Sequence, residues 1–403
     1  MKLRISPFIL LCIMGGLAIL SSTMAKNPVL PLFIRALDVP MGTVGFIAAA
    51  STVVGIVVSL PAGILSDIIG RRRVILIAAI VFASAPFLYL LVTQPWQLVL
   101  VRIYHGFATA ILGPVAMAAV ADTFDEKRGE RMGWYSSATM VGRFVAPFVG
   151  GALIFGDDFR WVYIATGTFG TLALIAAIRL SLATATSDSL GAALKRGRGD
   201  IWSDIKTILT HRGILATSAI EAVQYFAFGC LEVFLPIFLD EQAGFSTIEI
   251  GSLFTIQIVV ATLTKPIMGR FSDKYGRVPV IIAGLLLGGI TMAFMTYSYN
   301  YPLLAVLIGF FGLGLATVTA STAALVADLS KASSHGGALG VLSSVMDVGH
   351  STGPMVGGLL ISALNYKAAF GIVGGLLAVA SMAFGLIMRC TPGSRSSPYQ
   401  AAE

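Results

Sequence analysis

Charged side chains are scarce in this chain. Only 12% of its 403 residues are Asp, Glu, Lys or Arg, about half the share typical of soluble domains. Cysteine is scarcer still. Cys12, Cys230 and Cys390 lie far apart with no C-x-x-C spacing, which excludes a disulfide framework and a thiolate metal site. The sequence has no nucleotide-binding loop and no nucleophile–base arrangement. His105 and His350 fall in different apolar runs without Cys or His neighbours, so no metal cluster is indicated either. A membrane-embedded enzyme or receptor therefore has no support, and neither a cofactor nor a metal is expected.

Apolar residues make up 56% of the chain, the mean hydropathy is +0.87, and there are 44 glycines. One core of this size could not hide so much apolar surface from water, so the chain reads as an all-α integral membrane protein. A crossing takes roughly 20 mostly apolar residues, because lipid cannot satisfy exposed backbone groups. Twelve such runs occur, at about 7–34, 42–66, 74–93, 96–121, 131–155, 160–182, 213–239, 246–268, 277–298, 301–328, 336–363 and 367–389. The first follows Lys2 and Arg4 as a signal peptide would. It is too long for that role, however, and continues through Pro28 to Phe33 with no clean cleavage site.

The basic residues set the topology. Of 27 Lys and Arg, Lys26, Arg102, Arg143 and Lys265 lie inside spans, and only Arg35, Arg160 and Lys367 fall on one side of the membrane. The other twenty, among them Arg71 to Arg73, Lys195, Arg196 and Arg198, share the opposite side. Positive residues stay cytoplasmic, so both termini are expected inside a cell (inner or plasma) membrane. The net charge of +7 is then a topology signal, and no nucleic-acid partner is expected.

The chain also repeats itself. Gly63-x-x-x-Asp67-x-x-Gly70-Arg71 recurs as Gly269-x-x-x-Asp273-x-x-Gly276-Arg277, and Ala121-Asp122 as Ala327-Asp328, both 206 residues on. Ser136-Ser137, Pro147 and Gly150-Gly151 recur 207 residues on as Ser343-Ser344, Pro354 and Gly357-Gly358, and Leu30-Pro31 recurs 205 on as Leu235-Pro236. The expected organisation is two six-helix halves, 1–182 and 213–389, with a linker at 183–212 and a cytoplasmic tail at 390–403. Ile201, Trp202, Ile205, Ile208 and Leu209 fall at helical spacing in the linker. They suit either an amphipathic helix on the membrane face or a surface helix packed on the bundle. Parallel halves of this kind place a substrate site at their interface, with access alternating as one half rocks against the other.

These motifs resemble the major facilitator superfamily, most closely its bacterial twelve-helix drug:proton antiporter branch. Gly63 through Arg73 resembles the family's loop 2–3 signature, and 269–277 is a second copy. Arg102-Ile-Tyr-His105-Gly106 is similar to its fourth-helix signature, with His105 where Gln is usual. Gly142-x-x-x-Ala146-Pro147-x-x-Gly150-Gly151 is similar to its fifth-helix antiporter signature, with Ala146 in place of a glycine; helix 11 carries the unsubstituted Gly349-x-x-x-Gly353-Pro354-x-x-Gly357-Gly358. The resemblance implies a conformational latch made of Gly63, Asp67, Gly70, Arg71 and Asp122, repeated by Asp273, Gly276, Arg277 and Asp328. Asp67 is expected near the start of the following span, where the helix dipole favours an acid, with Asp122 sharing Arg71. The plainer reading is that Arg71 to Arg73 only hold the loop inside. Gly70 and Gly276 suit tight turns, and the glycines of helices 5 and 11 suit close helix packing.

Ionisable groups inside spans are costly unless they pair or face a cavity, so each is a functional candidate. Lys26, Arg102, His105 and Arg143 lie in the first half, without a carboxylate at depth; Glu221, Glu232, Asp347 and His350 lie in the second, with Lys265. Opposite charge is thus expected on opposite walls of a central cavity. Glu221 and Glu232 are close to three helical turns apart and share a face, with Gln224, Tyr225 and Phe228 on or near it. Asp347 is expected near mid-membrane with His350 one turn on. These three carboxylates are the expected proton carriers. Lys26 and Asn27 sit at the depth of Glu232 in the repeat, so Lys26 is expected either to pair with Glu232 when the outer side closes or to snorkel outward. Arg143 matches His350 in the repeat and is expected near Asp347 or a substrate anion.

Two carrier readings follow. In one, protons drive efflux of small amphiphilic or drug-like molecules through a functional monomer, using Glu221, Glu232 and Asp347. In the other, an organic anion or zwitterion is taken up or exchanged, held by Lys26, Arg102 and Arg143.

Overall fold

The computed structural model describes residues 6–123, 128–180, 211–330 and 335–389. The linker expected at 183–212 and the tail at 390–403 lie almost wholly outside these residues. The described residues form thirteen α-helices and no strand. α1 (Pro7–Lys26) and α2 (Val29–Ala36) are two parts of one crossing, followed by α3 (Met41–Ile69), α4 (Arg71–Tyr89), α5 (Pro95–Thr123), α6 (Arg128–Ala152) and α7 (Arg160–Arg179). After the linker come α8 (Arg212–Glu241), α9 (Thr247–Tyr275), α10 (Arg277–Met295), α11 (Tyr301–Leu329), α12 (His335–Ala363) and α13 (Tyr366–Arg389). Among the described residues, ten segments are long and apolar enough to cross a membrane, counting Pro7–Ala36 as one. α6, with 25 residues, and α12, with 29, complete the twelve.

The repeat is carried into the elements. α3 and α9 each have 29 residues, α4 and α10 each have 19, and α5 and α11 each have 29, and each pair starts 206 positions apart. Packing repeats as well. α1 lies on α6 and α7, and α4 on α5 and α7; in the second half α8 lies on α12 and α13, and α10 on α11 and α13. Even ring geometry is reproduced: Phe33 meets Phe159 at 5.2 Å and 54°, and Phe238 meets Tyr366 at 5.4 Å and 54°.

Proline accounts for the one large departure. Pro28 has no N–H to continue the helical ladder, and α1 stops at Lys26. Its repeat counterpart is Val233, and α8 runs unbroken through it. Large apolar side chains such as Val57, Leu91, Leu263 and Leu386 are exposed, as lipid-facing surfaces require. Inside the first bundle Leu11, Met14, Phe82 and Val115 form part of one buried cluster.

Two compact units are present. The first comprises Met1–Pro40, Phe46–Lys195 and Phe245–Thr255; the second comprises Met41–Gly45, Arg196–Gly244 and Ile256–Glu403. Within the first, the start of α9 is tied to α6, where Thr247 donates to the Gly151 carbonyl at 2.7 Å. Within the second, Gly45 at the start of α3 lies under the Pro354 carbonyl of α12, so closely that a methyl group would overlap it.

The turns between α3 and α4 and between α9 and α10 are single residues, Gly70 at φ +94° and Gly276 at φ +92°. A side chain is strained there, so glycine fits for the reason expected. The acids of the motif are placed differently from expectation. Asp67 and Asp273 belong to the final turns of α3 and α9, not to the start of the next helix. The helices run on through the motif, because only the glycine breaks them. An acid at a helix C-terminus is unfavourable unless a cation answers it, and Arg277 does so for Asp273.

Candidate functional site

The second unit brings four of the sequence candidates together. Glu232 of α8 and His350 of α12 form a hydrogen-bonded pair, Nε2 to carboxylate oxygen, at 2.9 Å. The Glu232 and His350 side chains are only 9% and 15% exposed. Phe228 stacks on the imidazole at 5.4 Å and 17°, and Tyr225 meets it edge-on at 5.9 Å. Asp347, half-buried, stands one turn before His350 on α12.

The backbone explains how α8 and α12 come close enough. A methyl at Gly349 would overlap the Ala222 carbonyl, and one at Gly353 would overlap the Phe226 carbonyl. Gly229 answers from α8, where a Cβ would lie 2.6 Å from the His350 carbonyl oxygen. Gly357 lies against the Cys230 side chain, where a Cβ would come 2.6 Å from Sγ. Small residues on both sides let the two backbones touch, which puts residues 118 positions apart within hydrogen-bonding distance. In the first bundle Gly142 lies against Gly16 and Gly150 against Met24 and Val29.

Glu221, nearly three turns before Glu232 on α8, faces α11. It is buried and accepts a hydrogen bond from the Thr322 hydroxyl. Lys265 of α9, exposed at its own position, is close enough to act on it electrostatically. Gln224 is fully buried, and its amide lies beside Gly288 of α10. Glu221 and Gln224 therefore sit inside the second bundle, whereas Tyr225 and Phe228 accompany Glu232. The shared helical face expected of these residues divides into two environments.

The first unit holds the other basic candidates. Lys26 ends α1 half-buried and Asn27 follows it, buried. Arg143 of α6 is exposed at a position inside its span. Arg102 and His105 of α5 are each 3% exposed, within the bundle.

Of the two latch copies, the second is described in full. Arg277 pairs with Asp273 and with Asp328 of α11, the latter at 3.1 Å, and donates to Ser272 at 2.8 Å. In the first copy Arg71 donates to Ser66; the side chains of Asp67 and Asp122 lie outside the described residues. Arg72, which the sequence suggested only as a topology charge, donates to the Leu180 and Ile178 carbonyls at 2.7 and 3.2 Å. It caps the free carbonyls at the end of α7. Nothing local in the sequence signals a partner more than a hundred residues away. Among the described residues no His, Cys, Asp or Glu group could hold a metal ion.

Comparison with known proteins identifies a membrane transporter. The Major Facilitator Superfamily model matches residues 11–223 and 217–403. The chain is 24% identical to Multidrug resistance protein 2 of Bacillus subtilis (strain 168) over 357 residues, covering 87% of this chain and 88% of that protein. It is 26% identical to the Staphyloferrin B transporter of Staphylococcus aureus (strain NCTC 8325 / PS 47), with 88% and 86% covered. Among solved structures, the nucleoside transporter NupG (D323A mutant) superposes with a TM-score of 0.84 at 15% identity, covering 95% of this chain and all of that one. An inward-facing bacterial homolog of the human lysosomal transporter Spinster superposes at 0.82 and 16%, with 97% and 98% covered. The chain is a member of the major facilitator superfamily, a multi-pass membrane transporter with the twelve-helix fold of that family.

Proposed function

We propose that this transporter exchanges protons for small amphiphilic molecules, exporting them by alternating access across the cytoplasmic membrane with both termini inside. The observation that carries the reading is the Glu232–His350 pair. Three charge states are open to it: −1 with no proton, neutral with one, +1 with two. A bare carboxylate is costly in a poorly hydrated site, so Glu232 can exchange its proton for a cation that answers it. An amphiphile carrying positive charge does that, with Tyr225 and Phe228 offering flat faces to its apolar part. Proton and substrate then compete for one carboxylate, which is the essential property of an antiporter. Asp347 lies close enough in sequence and depth to relay the proton, and Glu221 with Lys265 forms a second candidate relay deeper in the bundle. The match to proteins named for multidrug resistance supports the substrate class.

The anion-carrier reading draws on Lys26, Arg102 and Arg143. Arg143 is exposed, as that reading requires, but Arg102 is turned into its own bundle, so the reading has less to support it. Reconstituted protein separates the two. Uphill movement of ethidium, driven only by an imposed pH gradient, is the expected result. Counterflow of organic anions, with no ethidium movement, would replace this reading with the other.

A further inference from the structure

The first unit contains a polar cluster that the transport reading does not use. Arg102 donates through Nη2 to the Ala48 carbonyl at 2.7 Å and to the Ser51 hydroxyl. Tyr89 lies 3.4 Å from His105 Nδ1 and stacks on Tyr163 at 4.6 Å and 4°. His105 is held edge-on by Phe82 at 5.7 Å. All four polar side chains are 3% exposed or less.

Three of their polar atoms have no partner among the described residues: Arg102 Nε, His105 Nε2 and the Tyr163 hydroxyl. Arg102 Nε and the Tyr163 hydroxyl can each donate a hydrogen bond, and so can His105 Nε2 in the tautomer whose Nδ1 accepts from Tyr89. Arg102 is permanently charged, yet only neutral oxygens answer it, and among the described residues no carboxylate pairs with it.

The internal repeat shows that the fold does not need this polarity. At the matching register, 206 residues on for α4 and α5 and 207 on for α7, the second half places Met295, Ile308, Phe311 and Phe370, each 1% exposed or less. The Phe33–Phe159 and Phe238–Tyr366 ring pairs fix that register at α7. One bundle thus closes on four apolar side chains, and the other closes on a guanidinium, an imidazole and two phenols. A buried, incompletely answered guanidinium is costly, so packing does not account for its presence.

We propose that Arg102, His105, Tyr89 and Tyr163 form a binding site, inside the first bundle, for a small desolvated inorganic anion of the chloride type. The ion supplies the missing negative charge and accepts from the three unpartnered donors. The depth of Arg102 favours a monatomic ion over the carboxylate of a transported molecule. This inference does not depend on proton exchange, and its test measures no transport.

The test is the thermal unfolding of the purified full-length protein in nanodiscs, at constant ionic strength, in sodium chloride, bromide, acetate or gluconate. A saturable rise in midpoint with chloride and bromide, absent in gluconate, is the expected result. It should vanish in His105→Phe/Tyr163→Phe, which installs the second-half side chains, and in Arg102→Ile. Equal midpoints in all four salts would overturn the proposal, as would a halide effect that both variants retain. Acetate acting where the halides do not would also overturn it, assigning the donors to carboxylates instead. Should the variants fail to fold, bromide anomalous scattering from wild-type crystals decides the matter: a peak against Arg102 supports the site, and its absence at saturating bromide refutes it.

Discussion

Replacing Glu232 by glutamine is expected to abolish uphill transport while leaving the fold intact. Glutamine keeps the shape and a hydrogen bond to His350 but cannot exchange a proton. One pH unit is worth about 1.4 kcal/mol per proton, or about a tenfold substrate gradient for one-for-one electroneutral exchange. Wild-type vesicles should approach that ratio, and Glu232→Gln should fall to about one. Downhill movement of ethidium should survive, because alternating access does not itself require the proton. Glu221→Gln and Asp347→Asn, read in the same vesicles, rank the other two carboxylates. A Glu232→Gln protein that still concentrates substrate would move the proton site away from the pair.

The second large effect is structural. Alanine at Gly349 or Gly353 would put a methyl into a carbonyl group of α8, with backbone rather than a flexible side chain in the way. Overpacking of this kind costs about 1–3 kcal/mol per site, and here it also pushes α12 away from α8 and lengthens the Glu232–His350 contact. Both variants should unfold several degrees below wild type and transport poorly. Gly371→Ala and Gly375→Ala on α13, where nothing lies within 4 Å of the added carbon, are the matched controls and should be neutral or slightly stabilising. Equal losses at all four glycines would remove close packing from the explanation.

Different parts of this molecule were legible in the sequence for different reasons. The spans could be read because lipid demands about 20 apolar residues regardless of partners. The repeat could be read because the loop signature recurs at one offset, and the matched lengths of α3 to α5 and α9 to α11 follow from it. Gly70 and Gly276 were legible because a one-residue turn demands glycine. The break at Pro28 has a local cause as well, but the apolar run continues past it on both sides and conceals it.

Pairings across the fold were not legible. The repeat aligns His350 with Arg143 and Glu232 with Asn27, which suggests equivalence between halves rather than contact within one. What joins Glu232 to His350 is the glycine face of α12 against Gly229, and a glycine spacing in the sequence signals close packing without naming the partner helix. The three-turn spacing of Glu221 and Glu232 suggests one shared face of α8, but a bundle helix meets several neighbours along its length. At one level it meets Thr322 of α11 and at another His350 of α12. Arg72 illustrates the same limit, since its partners at the end of α7 share no local pattern with it.

Competition between proton and substrate is tested most directly by proton release on binding. Ethidium added to purified protein in weakly buffered detergent solution near neutral pH should expel protons, because linkage makes the antagonism reciprocal. The release should disappear in Glu232→Gln. Ethidium binding to the wild-type protein with no proton released, or with protons taken up, would contradict the account.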